Sequence, residues 1–232
     1  MEECTASVEW PAGLRCLEVY DEADTTMGLA PPCREGVVAA AVQRRGRGRT
    51  GPWLSPRGGA WLTVVARRDP PPGLPVAVGG CLAARLEELL PGGPGLLVKW
   101  PNDVLSPGGE KLAGVLVELA PGVLRVGVGV NVFNEAPGGA ARLADLGYRG
   151  PLGLVYAAVA SAVWDALTGT RRCLGEAAAR DALRGRLVAV EAPEGVVEGI
   201  GAGIDAATGA LVLETAGGER RVWCCRVLWW SR

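Results

Sequence analysis

Two runs within residues 111–132 set the first limit on what this chain can fold into. "KLAGVLVEL" (111–119) and "VLRVGVGVNV" (123–132) are β-branched and apolar, and the short turn "APG" joins them. This pattern predicts an antiparallel hairpin. Further strand runs lie upstream, at 14–20 ("LRCLEVY"), 37–43 ("VVAAAVQ"), 60–66 ("AWLTVVA") and 95–100 ("GLLVKW"). Helical periodicity appears at 75–90, with Leu82, Leu86, Leu89 and Leu90 on one face, and residues 151–182 are expected to be mostly helical. Thr25 or Thr26 is placed to cap a short helix that halts near Pro31 and Pro32. From Gly185 onward, "RLVAVEA", "VVEGIGAGI", "ALVLETA" and "RVWCCRVLWW" alternate with glycine turns. Strands mixed with helices, without strict βαβα alternation, predict an α+β main domain over 1–184 and a small all-β domain over 185–232.

Composition removes several classes of chemistry. The 232 residues contain no histidine, which excludes Ser-His-Asp and Cys-His catalysis and histidine-ligated metals. The seven cysteines (Cys4, Cys16, Cys33, Cys81, Cys173, Cys224 and Cys225) form no C-x-x-C pair. No metal centre is expected from them, and they read as small apolar residues. A net charge of −1 means that any anion-binding site must be local. The longest mostly apolar stretch, 152–164, is too short to span a bilayer, and the first ten residues lack a secretory pattern. The expectation is a cytoplasmic protein that binds neither membrane nor DNA.

Residue usage marks one region. Of 24 basic residues only Lys99 and Lys111 are lysine, Gln43 is the single glutamine, and the asparagines are Asn102, Asn131 and Asn134. A lysine kept where arginine is the default suggests a site that wants a compact ammonium. The same region holds "QRRGRGRTGPW" (43–53), with four arginines and three glycines. Gly46 and Gly48 let backbone N–H groups approach an anion, Arg47 and Arg49 add charge-assisted hydrogen bonds, and Trp53 offers a flat face. Taken alone, the stretch fits an anion-binding loop and an RG-type nucleic-acid segment equally. Its shortness and flanking strands favour the loop. Downstream, "KWPNDVLSPGGEKLAGVLVE" (99–118) places Asn102 and Asp103 after a Pro101 turn and Lys111 at the start of a strand. "GVGVN" (127–131) adds little by itself, since it also occurs in ordinary barrel strands.

In this order and spacing, "QRRGRGRTGPWLSPRGG", "KWPNDVL", "KLAGVLVE" and "GVGVNV" resemble the biotin protein ligase family over residues 36–132. The resemblance implies a mixed sheet with flanking helices, of the class II synthetase type, plus a C-terminal SH3-like β-barrel. It implies activation of biotin by ATP as biotinyl-5′-adenylate, with Mg2+ accompanying ATP. Transfer to a lysine of a biotin carboxyl carrier protein would follow. It also leaves room for a homodimer. Thr25, Thr26, Gln43, Gly46, Gly114 and Leu116 would contact biotin, with Lys111 at its carboxylate. Arg47, Arg49, Trp53, Asn102, Lys111 and Asn131 would contact ATP or the adenylate. Lys111, Arg49, Arg47 and Asp103 would carry the chemistry, Asp103 by aiding magnesium or the acceptor amine. With no winged-helix segment before the ligase motifs, the stand-alone type is expected.

Two departures stand out. Family members commonly have Ser-Thr-Asn where this chain has Thr25-Thr26-Met27, and Pro52 stands where an arginine is common, so Arg57 or Arg44 is a candidate substitute. A lipoate or octanoate ligase of the same fold is one alternative; a nucleic-acid-binding module is another. The loop at 43–53 is expected to be mobile when empty, because four like charges repel without a counter-anion.

Overall fold

The computed structural model describes residues 10, 11, 13, 14, 16–31, 35–193 and 195–231. Cys4, Cys33 and Pro32, named above, lie outside the described residues. A seven-stranded mixed sheet is built from β1 (Leu17–Ala23), β2 (Gly36–Gln43), β3 (Ala60–Ala66), β4 (Leu97–Lys99), β5 (Asp103–Leu105), β6 (Lys111–Ala120) and β7 (Val123–Val130). The strand order is β1-β2-β3-β7-β6-β5-β4. Only β1 and β2 run parallel; the other pairs are antiparallel. The hairpin expected at 111–132 is β6–β7, registered from Ala113↔Val130 to Ala120↔Val123.

Period-two alternation assigns the two faces of this sheet. Leu62, Val64, Val115, Val126, Val128 and Val130 point into the core, where α1 (Leu74–Glu88) and α2 (Leu152–Thr168) pack. On the other face, Gly114, Gly127 and Gly129 lie among Thr63, Trp61 and Leu116. Helix α1 is buried on most of its circumference and not on one stripe, since α3 (Thr170–Ala179) and α2 cover its remaining sides. The expected helical stretch at 151–182 is two helices, with Gly169 at the break. At Thr26–Gly28 a single 3-10 turn forms, and the Thr25 hydroxyl accepts from Met27 N at 3.3 Å. Strand β5 was not expected; it is three residues long and pinned between the Pro101 turn and the 106–110 turn.

The cysteine expectation is corrected at Cys16, Cys81 and Cys173. Cys81 of α1 and Cys173 of α3 are disulfide-bonded, and Cys16 is also disulfide-bonded. The cause is helix packing that spacing rules cannot see, because 92 residues separate Cys81 from Cys173. A Cβ at Gly80 would lie 2.2 Å from the Cys173 carbonyl oxygen, so glycine there lets the two helices touch.

Residues 187–230 form a second sheet from β8 (Leu187–Ala192), β9 (Gly195–Ile204), β10 (Leu211–Thr215), β11 (Gly218–Val222) and β12 (Arg226–Trp230), in the order β11-β10-β9-β8-β12. The run "RVWCCRVLWW", read as one strand, is two strands on opposite edges, broken at 223–225. Four Cα steps reach at most about 14 Å. A flat five-stranded sheet measures about 19 Å edge to edge. The sheet therefore curls until its edges approach. Its core is continuous with that of the main sheet: Val188, Val190, Leu211 and Leu213 belong to the same buried cluster as α1. Buried Trp100 also donates from Nε1 to the Gly209 carbonyl at 3.0 Å.

Candidate active site

The face of the main sheet away from the helices is cleared by glycine. Register sets Gly114 opposite Gly129 and Leu116 opposite Gly127. A Cβ at Gly129 would lie 2.5 Å from Trp53 Nε1, one at Gly114 would lie 3.0 Å from the Trp53 ring, and one at Gly127 would lie 2.5 Å from Met27 Sδ. The bare strands thus form a floor on which the Trp53 indole and the Met27 thioether rest. The indole N–H is buried and makes no hydrogen bond among the described residues.

Three depressions meet on this floor. The inner one is lined by Thr25, Thr26, Met27, Gln43, Arg47, Arg49, Asn102, Gly114 and Leu116, among others. The second runs beneath the Arg/Gly loop past Lys99, Asn102 and Asp103 to Arg226 and Leu228. The third joins Asn131 to residues 137–140. Among the described residues, only Trp53 and Lys111 line all three.

The inner end is polar and preorganised. Gln43 Oε1 accepts from Thr26 N at 2.8 Å and from Thr26 Oγ1 at 3.1 Å, and Gln43 Nε2 donates to Ser55 Oγ at 2.8 Å. Thr63 Oγ1 in turn donates to Thr26 Oγ1 at 2.8 Å. The chain Thr63–Thr26–Gln43–Ser55 fixes the amide orientation. It leaves the Thr25 hydroxyl proton and one Gln43 N–H to face a ligand.

Cations gather at the other end. Lys111 Nζ is 2.7 Å from Asp103 Oδ1 and stands 5.0 Å from the Trp53 ring centroid. Lys99 is half-buried, and burial holds its ammonium below the usual lysine value, with Asp103 opposing the shift. Burial also lowers the Arg49 guanidinium, and Arg49 Nη1 donates to the Cys225 carbonyl at 2.5 Å.

The structure brings Thr25, Thr26, Gln43, Arg47, Arg49, Trp53, Asn102, Lys111, Gly114 and Leu116 together in the inner depression. Asp103 faces only the second and Asn131 only the third. Gly46 lines none of the three; a Cβ there would lie 2.3 Å from the Trp53 carbonyl, so it packs the loop against itself. Asn102 Nδ2 donates to the Val115 carbonyl at 3.0 Å, which ties the Pro101 turn to β6. The suggested substitutes do not reach the cleft: Arg44 pairs with Glu22 at 2.6 Å and Arg57 with Asp21 at 2.9 Å. Arg45 pairs with Asp24 and Arg47 with Glu118, at 2.8 and 3.0 Å. The four loop arginines thus have partners within the chain, three of them carboxylates and one a backbone carbonyl. Sequence reasoning did not find Ser55, Arg226 or Leu228. Lys99 had only its rarity as a signal.

A small ligand with one polar end and one anionic end fits this arrangement. The fold and the cleft define a domain that can hold such a ligand on a glycine floor beneath an arginine loop. Residues 19–132 match the model of the Biotin/lipoate A/B protein ligase family. A biotin--[acetyl-CoA-carboxylase] ligase of Paracoccus denitrificans is 38% identical over 122 residues, 44% of this chain and 47% of that protein. One of Mycobacterium tuberculosis is 49% identical over 57 residues, 23% of this chain and 21% of that protein. These matches cover less than half the length of either relative. In fold, the chain resembles the biotin protein ligase of Aquifex aeolicus in complex with biotin and ATP, with a TM-score of 0.79 at 24% identity, covering 93% of this chain and 98% of that one. It also resembles the Leishmania major biotin protein ligase in complex with biotinyl-5-AMP, with a TM-score of 0.61 at 19% identity over 90% of this chain and 98% of that one. The α+β fold with a mixed sheet is the biotin ligase catalytic fold.

Proposed function

We propose that this chain activates biotin with ATP and transfers the biotinyl group to a lysine of a biotin carboxyl carrier protein. The observation that carries this is the place of Lys111, an ammonium at the point where a polar inner pocket, a cationic cleft and a third depression meet. The ureido ring of biotin would lie at Thr25, Thr26 and Gln43, with its tail over Gly114 and Leu116. Its carboxylate and the α-phosphate of ATP are both anions and repel until cations neutralise them. Lys111, Arg47 and Arg49 would hold them in line for attack and stabilise the charge that develops on phosphorus. Trp53 and Asn131 would receive the adenine. As Lys111 turns toward phosphate it would free the Asp103 carboxylate, which lines the outer cleft and would take a proton from the acceptor amine.

Magnesium belongs to this scheme as the companion of ATP. Asp103 is engaged by Lys111, and no group of three His, Cys, Asp or Glu able to hold a metal occurs among the described residues. The ion would arrive with the triphosphate of ATP. In domain terms, residues 1–184 would carry the chemistry and residues 185–232 would close the outer cleft.

The hydrogen-bonded polar end favours biotin over lipoate, whose dithiolane ring offers no ureido hydrogen bonds. The test is labelling of a carrier domain by this chain with ATP and either biotin or lipoate. Biotin-dependent labelling of one lysine is expected. Labelling by lipoate alone, or by neither, would overturn the proposal.

A further inference from the structure

Outside the proposed site, the link between β11 and β12 carries two adjacent thiols. Cys224 is exposed and Cys225 partly so, and neither belongs to a disulfide. Their sulfurs lie 2.8 Å apart. A disulfide needs about 2.05 Å, so an approach of less than an ångström brings them to bonding distance. Cys225 has φ = 88°, a left-handed conformation costly for a residue with a Cβ. The backbone is thus already turned away from the extended form that would send successive side chains to opposite faces. The Cys225 carbonyl is also the acceptor for Arg49. The dithiol is therefore joined to the arginine loop by one hydrogen bond, although 176 residues separate Arg49 from Cys225.

We propose that Cys224 and Cys225 form a redox-active vicinal dithiol that a peroxide closes to a disulfide, and that closure releases Arg49. In the first step one thiolate attacks a peroxide oxygen. The O–O bond breaks, giving a sulfenic acid and one water after proton transfer. In the second, the neighbouring sulfur attacks the sulfenic sulfur and expels its hydroxyl as a second water. The sum is two thiols and one hydrogen peroxide giving one disulfide and two waters. The product is an eight-membered ring that contains the Cys224–Cys225 peptide. Closing it resets the backbone angles of Cys225, and its carbonyl, just outside the ring, turns off the guanidinium. Arg49 then loses the bond that anchors its side chain to the second sheet.

Tryptic cleavage after Arg221 and Arg226 yields the peptide 222–226, which carries both sulfurs and no other cysteine. The full chain is treated with hydrogen peroxide, free thiols are alkylated, and this peptide is weighed. The expected product is lighter than the dithiol peptide by two hydrogen atoms, takes up no alkylating agent, and reverts with dithiothreitol. Alkylation at both cysteines, separate addition of oxygen to each, or a bond to another chain would overturn the proposal. For the second half, limited trypsinolysis follows the native chain at the bond after Arg49. Oxidation should speed that cut by at least about three-fold in the wild type. Cys224→Ser should show no change with peroxide. An unchanged rate in the oxidised wild type would refute the release of Arg49, and the peptide mass tests closure without any variant. Neither measurement uses biotin, ATP or turnover, so its failure is distinct from failure of the ligase proposal.

Discussion

At the scale of single residues, Lys111 has the most at stake. Its amine is held between Asp103 and the Trp53 ring, close enough to reach each of the three depressions by rotating its side chain. Removing a preorganised cation from developing phosphate charge costs about 3–4 kcal/mol, or roughly 10²–10³ in rate. Lys111→Ala should lose adenylate formation by that factor, read as biotin-dependent pyrophosphate release, while its circular dichroism is unchanged. Lys111→Arg should also be poor, because a planar fork cannot occupy the position of a point charge against Asp103. The glycine floor makes a complementary prediction. Gly129→Val places branched carbon where the Trp53 ring now lies, since even a Cβ would come 2.5 Å from its Nε1. The indole must leave its seat. Indole fluorescence should shift and biotin affinity should fall, whereas the β6–β7 pairing, made by backbone, should survive. Full biotin affinity in that variant would show that the floor does not shape the pocket.

At the scale of elements, the Arg/Gly loop is held by more than a ligand. Glu22 and Asp24, at and just beyond the end of β1, together with Glu118 of β6, neutralise three of its arginines. The backbone adds Trp53 N to Gly46 O at 2.9 Å and Gly48 N to Gly51 O at 2.8 Å. These ion pairs are exposed, so solvent screening leaves each of them weak. The loop is therefore positioned but weakly locked, as a gate would be. Arg47→Ala and Arg49→Ala should let the adenylate escape, seen as more biotin on bystander lysines; release no greater than wild type would remove the loop as the gate. The strands around it were legible for a physical reason. β3 and β7 are long β-branched runs bounded by turn residues, and burial of one face fixes their register. β5 has three residues, too few for any period to show. The break at 223–225 was hidden because Trp, Cys and Cys read as strand residues, while the turn rests on a positive φ at Cys225. The site motifs were legible because their residue types are rare in this chain. The partners of Arg44, Arg45 and Arg57 were not, since the acids lie 21 to 36 residues away, on β1 or just beyond it.

At the scale of the whole molecule, the C-terminal sheet lines the outer cleft and shares the core. The sequence places every motif residue before 185, which suggests that residues 185–232 could be removed with loss of efficiency only. The packing argues otherwise. Arg226 and Leu228 line the outer cleft, and Cys225 holds Arg49. Trp100 is 1% exposed and bonded to Gly209, and Gly73, which caps α1, packs on Thr208 and Gly209. Deleting the sheet would expose Trp100, the face of α3 that meets β9 and the Gly73 end of α1. Each large apolar side chain returned to water costs about 1.5–3 kcal/mol. Three or four such residues approach the whole stability of a typical domain, about 5–15 kcal/mol. A chain ending at residue 184 should therefore lose its cooperative thermal transition and bind hydrophobic dyes. Arg226→Ala is the control that keeps the core: it should melt close to the wild type, since its ion pair with Glu191 at 2.9 Å is exposed, yet retain ATP less well. If the truncated chain melts cooperatively near the wild-type temperature and still labels a carrier domain, the second sheet is an appendage and the shared core carries none of the stability assigned to it.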